Sequence, residues 1–147
     1  MEPIGFTRTS LAESELRGNR RNIVSEIVIN EQLEPALDGI EDYSHLIILF
    51  WMDRVSPEER KTLKVHPKHD GSLPLVGSLV VRQKSRPNPI GLAVVELLKK
   101  NGNTLTVKGL DALDGSPVLD IKSYDYSDRP EEIKVPAWWL LHRNKNI

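Results

Sequence analysis

Two stretches of this chain concentrate groups able to grip an anion or handle a proton. The first is Arg82-Gln83-Lys84-Ser85-Arg86-Pro87-Asn88-Pro89-Ile90-Gly91-Leu92. Pro87 and Pro89 fix their own φ and push Arg86 and Asn88 out of the helical region. The result is a stiff, extended polar loop leading into an apolar strand. A rigid loop presenting Arg82, Arg86 and Asn88 suits a carboxylate or a phosphate, because little side-chain entropy is left to lose. The same arginines could instead pair with acids elsewhere in the chain.

The second stretch is Leu113-Asp114-Gly115-Ser116-Pro117-Val118-Leu119-Asp120-Ile121-Lys122-Ser123-Tyr124. Asp-Gly followed by Ser-Pro is a turn, and Asp114 can accept from the backbone ahead of it. Asp120 and Lys122 alternate with apolar residues, as on a half-buried strand. An aspartate in that setting needs a partner. Either an internal pair with Lys122 or an arginine holds it, or it serves a site. Among the histidines, His45 precedes an apolar run and reads as a structural residue. His66, His69 and Asp70 lie close together, but their spacing matches no strong metal site, and no metal is expected.

These groups need a scaffold, and the 147 residues allow one domain, 1–147, with a sizeable core. Cysteine is absent, which excludes disulfides, thiolate zinc sites, cysteine-ligated clusters and thiol nucleophiles. No two glycines are closer than six residues, so neither G-x-G-x-x-G nor a Walker A loop can be written on the chain. Any nucleotide-like cofactor must be held another way. The first ten residues lack the basic start and apolar run of a signal peptide. The longest apolar run, residues 46–52, is far short of the ~20 a spanning helix needs. The expectation is a soluble cytoplasmic protein with no membrane partner.

The net charge is −1, but charge is segregated along the chain. Residues 24–59 hold nine acids and one base, and residues 60–86 hold seven bases and one acid. Arg17, Arg20 and Arg21 form a third small cluster. One basic face on a neutral protein suits a small anionic contact, such as a nucleic-acid loop, better than a long duplex track.

Strand patterns dominate. Residues 3–9, 23–30, 78–82 and 116–122 read as strands, and 46–52 as a strand buried on both faces. Residues 90–100 and 104–110 flank Asn101-Gly102, a hairpin dipeptide. Ser56-Pro57-Glu58-Glu59 carries a serine cap, a first-turn proline and first-turn acids, and predicts a short helix. Residues 135–141, with Trp138 and Trp139, predict a packed terminal segment. The crossover helices of a doubly wound sheet are missing. The fold class is mainly β, an antiparallel barrel or sandwich with short helical additions.

Together these segments resemble the TsaA-like family, the tRNA methyltransferase O family. The resemblance runs from Ile4-Gly5 through Gly39-Ile40-Glu41 and Ser44-His45 to the apolar run. It is strongest in Arg86-Pro87-Asn88-Pro89-Ile90-Gly91-Leu92 and in Asp114 to Lys122. It implies a small antiparallel β-barrel, a non-Rossmann methyltransferase that binds S-adenosylmethionine. It also implies a homodimer with the cofactor near the subunit interface, and no metal. The implied reaction is methylation of N6 of threonylcarbamoyladenosine, next to the anticodon, so the implied partner is a tRNA anticodon loop.

Carried over by position, cofactor contacts fall on Leu16, Arg17 and Gly18, on Asp53 and Arg54, on Arg82 and Leu92, and on Asp114, Gly115 and Ser116. Arg82 is open to either the methionine carboxylate or the RNA. Lys64, Lys68, Lys84, Arg86 and Asn88 are expected to meet the tRNA. Asp114 and Asp120 are the nearest candidates for the general base. The chain departs from the family pattern in four places. Ser14-Glu15-Leu16-Arg17-Gly18 stands where Pro-Arg-Gln is usual, Asp53-Arg54 where His-Gln is common, Gln83-Lys84 where Ser-Pro is common, and Ser123 where a proline is common. The altered Asp53-Arg54 pair keeps a second reading open, a non-catalytic RNA- or nucleotide-binding barrel that lost the chemistry. A metal hydrolase built on His66, His69 and Asp70 is a third.

Overall fold

The structure, a computed structural model, describes residues 1–143. In chain order its strands are β1 (Gly5–Arg8), β2 (Val24–Ile29), β3 (His45–Trp51), β4 (Lys64–Val65), β5 (Val76–Gly77), β6 (Ile90–Asn101), β7 (Thr104–Lys108) and β8 (Pro117–Ser123). Its α-helices are α1 (Glu13–Gly18), α2 (Pro57–Arg60) and α3 (Ala137–Arg143), joined by several 3-10 turns. Six strands close an antiparallel barrel in the order β1-β2-β7-β6-β3-β8, while β4 and β5 pair with each other outside it.

Period-two alternation fills the barrel. Ile27, Ile29, Leu46, Ile48, Phe50, Ala93, Val95, Leu105, Val107 and Val118 form its buried core. Leu37, Leu110 and Ala112, from the connections, join the same cluster. Each large aliphatic buried this way contributes about 1.5–3 kcal/mol before the cost of ordering. Two irregularities shape the wall. The β3–β8 register shifts between Leu49 and Phe50, and the β6–β7 register between Leu97 and Lys99.

The expected strands at residues 3–9, 23–30, 46–52, 90–100, 104–110 and 116–122 are all present in outline. Four expectations change in detail. Residues 46–52 are not buried on both faces: Leu46, Ile48 and Phe50 point inward, while Ile47, Leu49 and Trp51 are half-buried on the outer wall. Opposite them on β6, Ile90, Leu92 and Val94 are 40%, 43% and 45% exposed. The apolar run therefore reflects one filled interior and one apolar outer face. Residues 78–82 do not form a strand. Ser78 N donates to Leu63 O at 2.8 Å, and Ser78–Val80 closes as a 3-10 turn after β5. In the hairpin, Asn101 pairs with Thr104, so the two-residue loop is Gly102-Asn103, with Gly102 at φ +61°. Finally, α3 leaves Trp139, Leu140 and Leu141 exposed rather than packed.

Helix α2 follows its sequence signals closely. Glu59 N donates to Ser56 Oγ at 3.2 Å, and Ser56 N donates to the Glu59 carboxylate at 3.0 Å. Among the described residues no helix is long and apolar enough to cross a membrane.

Candidate functional site

One mouth of the barrel gathers the end of β1, the end of β3, the start of β6 and the start of β8. The pairs Phe6–Pro117, Phe50–Val118 and Trp51–Ile90 set this level. The connections at this mouth carry most of the residues singled out above.

The Asp114 turn is pinned by β1. The buried Thr7 hydroxyl donates to Leu113 O at 2.6 Å and accepts from Ser116 N at 3.0 Å. Gly115 N donates to Thr7 O at 2.9 Å, and Ser116 Oγ donates to Leu113 O at 2.7 Å. Gly115 has φ +75°, a left-handed turn that favours glycine. Asp114 Oδ1 accepts from Thr9 N at 3.0 Å. Arg54 Nη2, from the segment after β3, donates to Asp114 O at 2.8 Å. The structure thus brings Asp53-Arg54 and Asp114-Gly115-Ser116 together, although 60 residues separate Arg54 from Asp114.

The proline loop is held from the other side by α2. Arg60 Nε donates to Pro87 O at 2.8 Å and Arg60 Nη2 to Asn88 Oδ1 at 3.3 Å. The same guanidinium lies over the Trp51 ring at 5.4 Å. Lys84 Nζ is 3.5 Å from the Glu59 carboxylate, and Gln83 Nε2 donates to His66 O at 2.9 Å. Glu59 accepts from the Ser56 backbone N–H and lies beside Lys84, and its carboxyl is held below the usual range, the Ser56 bond being the largest cause.

Arg86, expected to face RNA, turns inward instead. Its Nη1 donates to Val81 O at 2.7 Å and Gln83 O at 3.3 Å, which braces the loop. Arg82 is exposed, and its side chain has no hydrogen-bond or ion-pair partner among the described residues. Asp53 and Lys68 are exposed and unpartnered in the same sense. Lys68 and His69 are both left-handed, at φ 57° and 56°.

The early loop contributes differently from its neighbours. Leu16, on α1, is 2% exposed, so its side chain is packed inward rather than presented to a ligand. Arg17 pairs with Glu13 on the same helix. A path of bonds still leads there from the mouth, since Leu11 N, just ahead of α1, donates to Thr9 Oγ1 at 3.2 Å. Leu92 stands on the outer wall opposite Leu49, and Asp120 flanks Leu49 on the other side. Asp120 Oδ1 accepts from Ile121 N at 2.9 Å, and Oδ2 pairs with Lys122 at 3.1 Å. That is the internal pair left open by the sequence.

His45 sits 2.7 Å from Ser44 Oγ and tilts against Tyr124. His66 Nδ1 is 2.9 Å from Leu73 O, and Asp70 Oδ1 accepts from Ser72. Among the described residues no three His, Asp or Glu side chains are grouped to hold a metal. Sequence reasoning missed Arg60, Thr7 and Thr9 as parts of this mouth. Arg60 counted only as one base in a basic stretch. Thr7 and Thr9 act on residues more than a hundred positions away, which no local pattern signals.

Comparison with known proteins places this architecture. Residues 15–129 match the sequence profile of the tRNA-methyltransferase O N-terminal domain. An S-adenosyl-L-methionine-binding protein of Archaeoglobus fulgidus is 42% identical over 127 residues, covering 84% of this chain and 88% of that protein. A probable S-adenosyl-L-methionine-binding protein of the same organism is 52% identical over 99 residues, covering 67% of this chain but only 26% of that protein. A crystal structure of TrmO superposes with a TM-score of 0.72 at 30% identity, covering 91% of this chain and 61% of that one.

Proposed function

The chain belongs to the tRNA-methyltransferase O N-terminal domain family, and on that premise we propose that it is an S-adenosylmethionine-dependent tRNA methyltransferase acting on N6 of threonylcarbamoyladenosine. The observation that carries the reading is the convergence of Asp53-Arg54, the Asp114 turn and the proline loop at one mouth of a barrel of this family.

The donor set suits the cofactor. The unpartnered Arg82 guanidinium matches a methionine carboxylate. The unpartnered Asp53 carboxylate suits a sulfonium. Exposed Leu92 and the backbone of the Asp114-Gly115-Ser116 turn suit the adenosyl part, with Arg17 and Gly18 at the edge. When bound, the cofactor supplies a methyl group activated toward nucleophilic displacement. What the protein contributes is positioning, holding the acceptor nitrogen in line with that methyl. Methylation at N6 would require the N6 proton to be taken up by a base held beside the acceptor. Asp114 is the better base of the two candidates. Its Oδ1 is held by Thr9 N while Oδ2 has no hydrogen-bond or ion-pair partner among the described residues. Both oxygens of Asp120 are engaged. Lys68, Lys84 and Asn88 face the anticodon loop, and Arg86 keeps the loop that carries them rigid.

A second copy of the chain is the proposed occupant of the apolar outer face formed by Ile47, Leu49 and Leu92, of which Leu92 is 43% exposed among the described residues. The proposed setting is the cytoplasm, where tRNA is modified.

The test is mass spectrometry of tRNA nucleosides after incubation with protein and S-adenosylmethionine. One added methyl on threonylcarbamoyladenosine is expected. No product while calorimetry reports bound cofactor refutes the substrate. No heat at millimolar cofactor supports the non-catalytic barrel, for which Arg54 bonded across the Asp114 turn is the favouring observation.

A further inference from the structure

Adjacent strands carry one row of residues across the outer wall, away from the mouth just described. His45 on β3 stands opposite Glu96 on β6, Glu96 opposite Lys108 on β7, and Lys108 opposite Val24 on β2. Arg20 and Arg21 lie in the 3-10 turn Arg20–Asn22, immediately before β2. These two arginines, His45, Glu96 and Lys108 line a pocket of about 230 Å³, bounded by Val94. Along β6, Glu96 in this pocket is six residues from Ile90 at the mouth, about 20 Å away.

Charge in this pocket is unbalanced. Arg21 and Lys108 make no side-chain ion pair or hydrogen bond among the described residues. Arg20 is 3.9 Å from Asp111, an exposed pair of the kind that binds weakly. Glu96 is the one acid lining the pocket, and no ion pair within the described residues neutralises it. Arg17, the third member of the sequence cluster, is turned away onto Glu13.

We propose that this pocket is a second RNA contact, holding a backbone phosphate of the substrate, and the proposal rests on the tRNA reading above. Three cations from two elements, the Arg20–Asn22 turn and β7, converge there, and two of them, Arg21 and Lys108, have no ion-pair partner among the described residues. Guanidinium forks match phosphate oxygens in bidentate geometry. The pocket opens on the outer wall, where a group tethered to a polymer can reach it. Glu96 opposes the anion and sets the strength of the contact. The arginines and Lys108 supply orientation without base reading, since phosphate contacts position and base contacts specify.

The test is tRNA binding by the full chain across a salt series. For Arg21→Ala combined with Lys108→Ala, binding should weaken about tenfold at low salt. The slope of log affinity against log salt should fall by about 1.4, two contacts at ~0.7 each. Glu96→Gln should move binding the other way, tightening it several-fold, a direction that mere unfolding cannot produce. Cofactor heat and melting temperature should match the wild type in both. Wild-type affinity and slope in the double variant, unchanged or weaker binding in Glu96→Gln, or a wild-type chain that binds no tRNA would each overturn the proposal. Bound but unmethylated tRNA would sink the methyltransferase reading and leave this contact standing.

Discussion

Replacing Gly91 by alanine tests why the proline loop ends in a glycine. Gly91 is buried on β6 directly opposite Phe50 on β3. An added Cβ would lie 2.2 Å from Phe50 Cζ and 2.5 and 2.6 Å from its two Cε atoms. Ordinary carbon contacts are ~3.5–4.0 Å, so the ring must retreat by about 1.5 Å. Phe50 is itself 5% exposed and belongs to the buried core of the barrel, where packing is close. Overpacking of this kind costs about 1–3 kcal/mol, partly offset by the ~0.5–1 kcal/mol that alanine gains over glycine in a strand. At the middle of these ranges the net cost is about 1.25 kcal/mol, so for a chain of this size the melting temperature should drop by about 2.5–5 °C. Phe50→Leu removes the obstructing ring edge at the cost of a small cavity. Combined with Gly91→Ala, it should give a protein more stable than the two single effects add up to, with a coupling of about 1 kcal/mol or more. The assay is thermal and urea denaturation of the four proteins in the cycle. A Gly91→Ala melting temperature within a degree of wild type, or strictly additive energies, would falsify the packing argument.

Other expectations follow from single contacts. Thr7→Val keeps shape but removes both bonds of the buried hydroxyl, to Leu113 O and from Ser116 N, so at ~0.5–1.5 kcal/mol each stability should fall by about 1–3 kcal/mol and S-adenosylmethionine affinity should weaken, read by urea melts and calorimetry. Arg60→Ala releases Pro87, Asn88 and Trp51, so kcat/KM for tRNA should fall about tenfold with little change in melting temperature; recovery in Arg60→Lys would point to charge alone rather than the planar fork. Leu49→Lys places a charge in the apolar outer face, and sedimentation should show dimers becoming monomers; a monomeric wild type removes the dimer proposal. Glu59 has a lowered pKa, so its cap and its link to Lys84 stabilise above the unfolded carboxyl value. That contribution is lost as pH falls below ~4.3 through the folded value, and Glu59→Gln should flatten this part of the acid melting profile.

Much of the barrel was legible from residue order, because alternation is a local property. Thr104–Lys108 shows it plainly, and side chains at i and i+2 must share a face whatever the partner strand. The cap of α2 was legible for the same reason: Ser56 and Glu59 are three residues apart. The excluded chemistries, thiol catalysis and a glycine-rich nucleotide loop, followed from composition alone. What local order could not state is which segments meet. Arg54 reaching Asp114, Thr7 holding Leu113 and Ser116, and Arg60 bracing Pro87 depend on barrel closure, which sets strand neighbours that sequence distance does not encode. The same closure turned Arg86 from a free cation into a loop brace and showed that half of the apolar run on β3 faces outward. It also set Arg21 beside Lys108, 87 residues on, across one wall. Residue types determined which chemistry the chain can perform; hydrogen-bonded strand register, a property of pairs, decided where those groups stand to perform it.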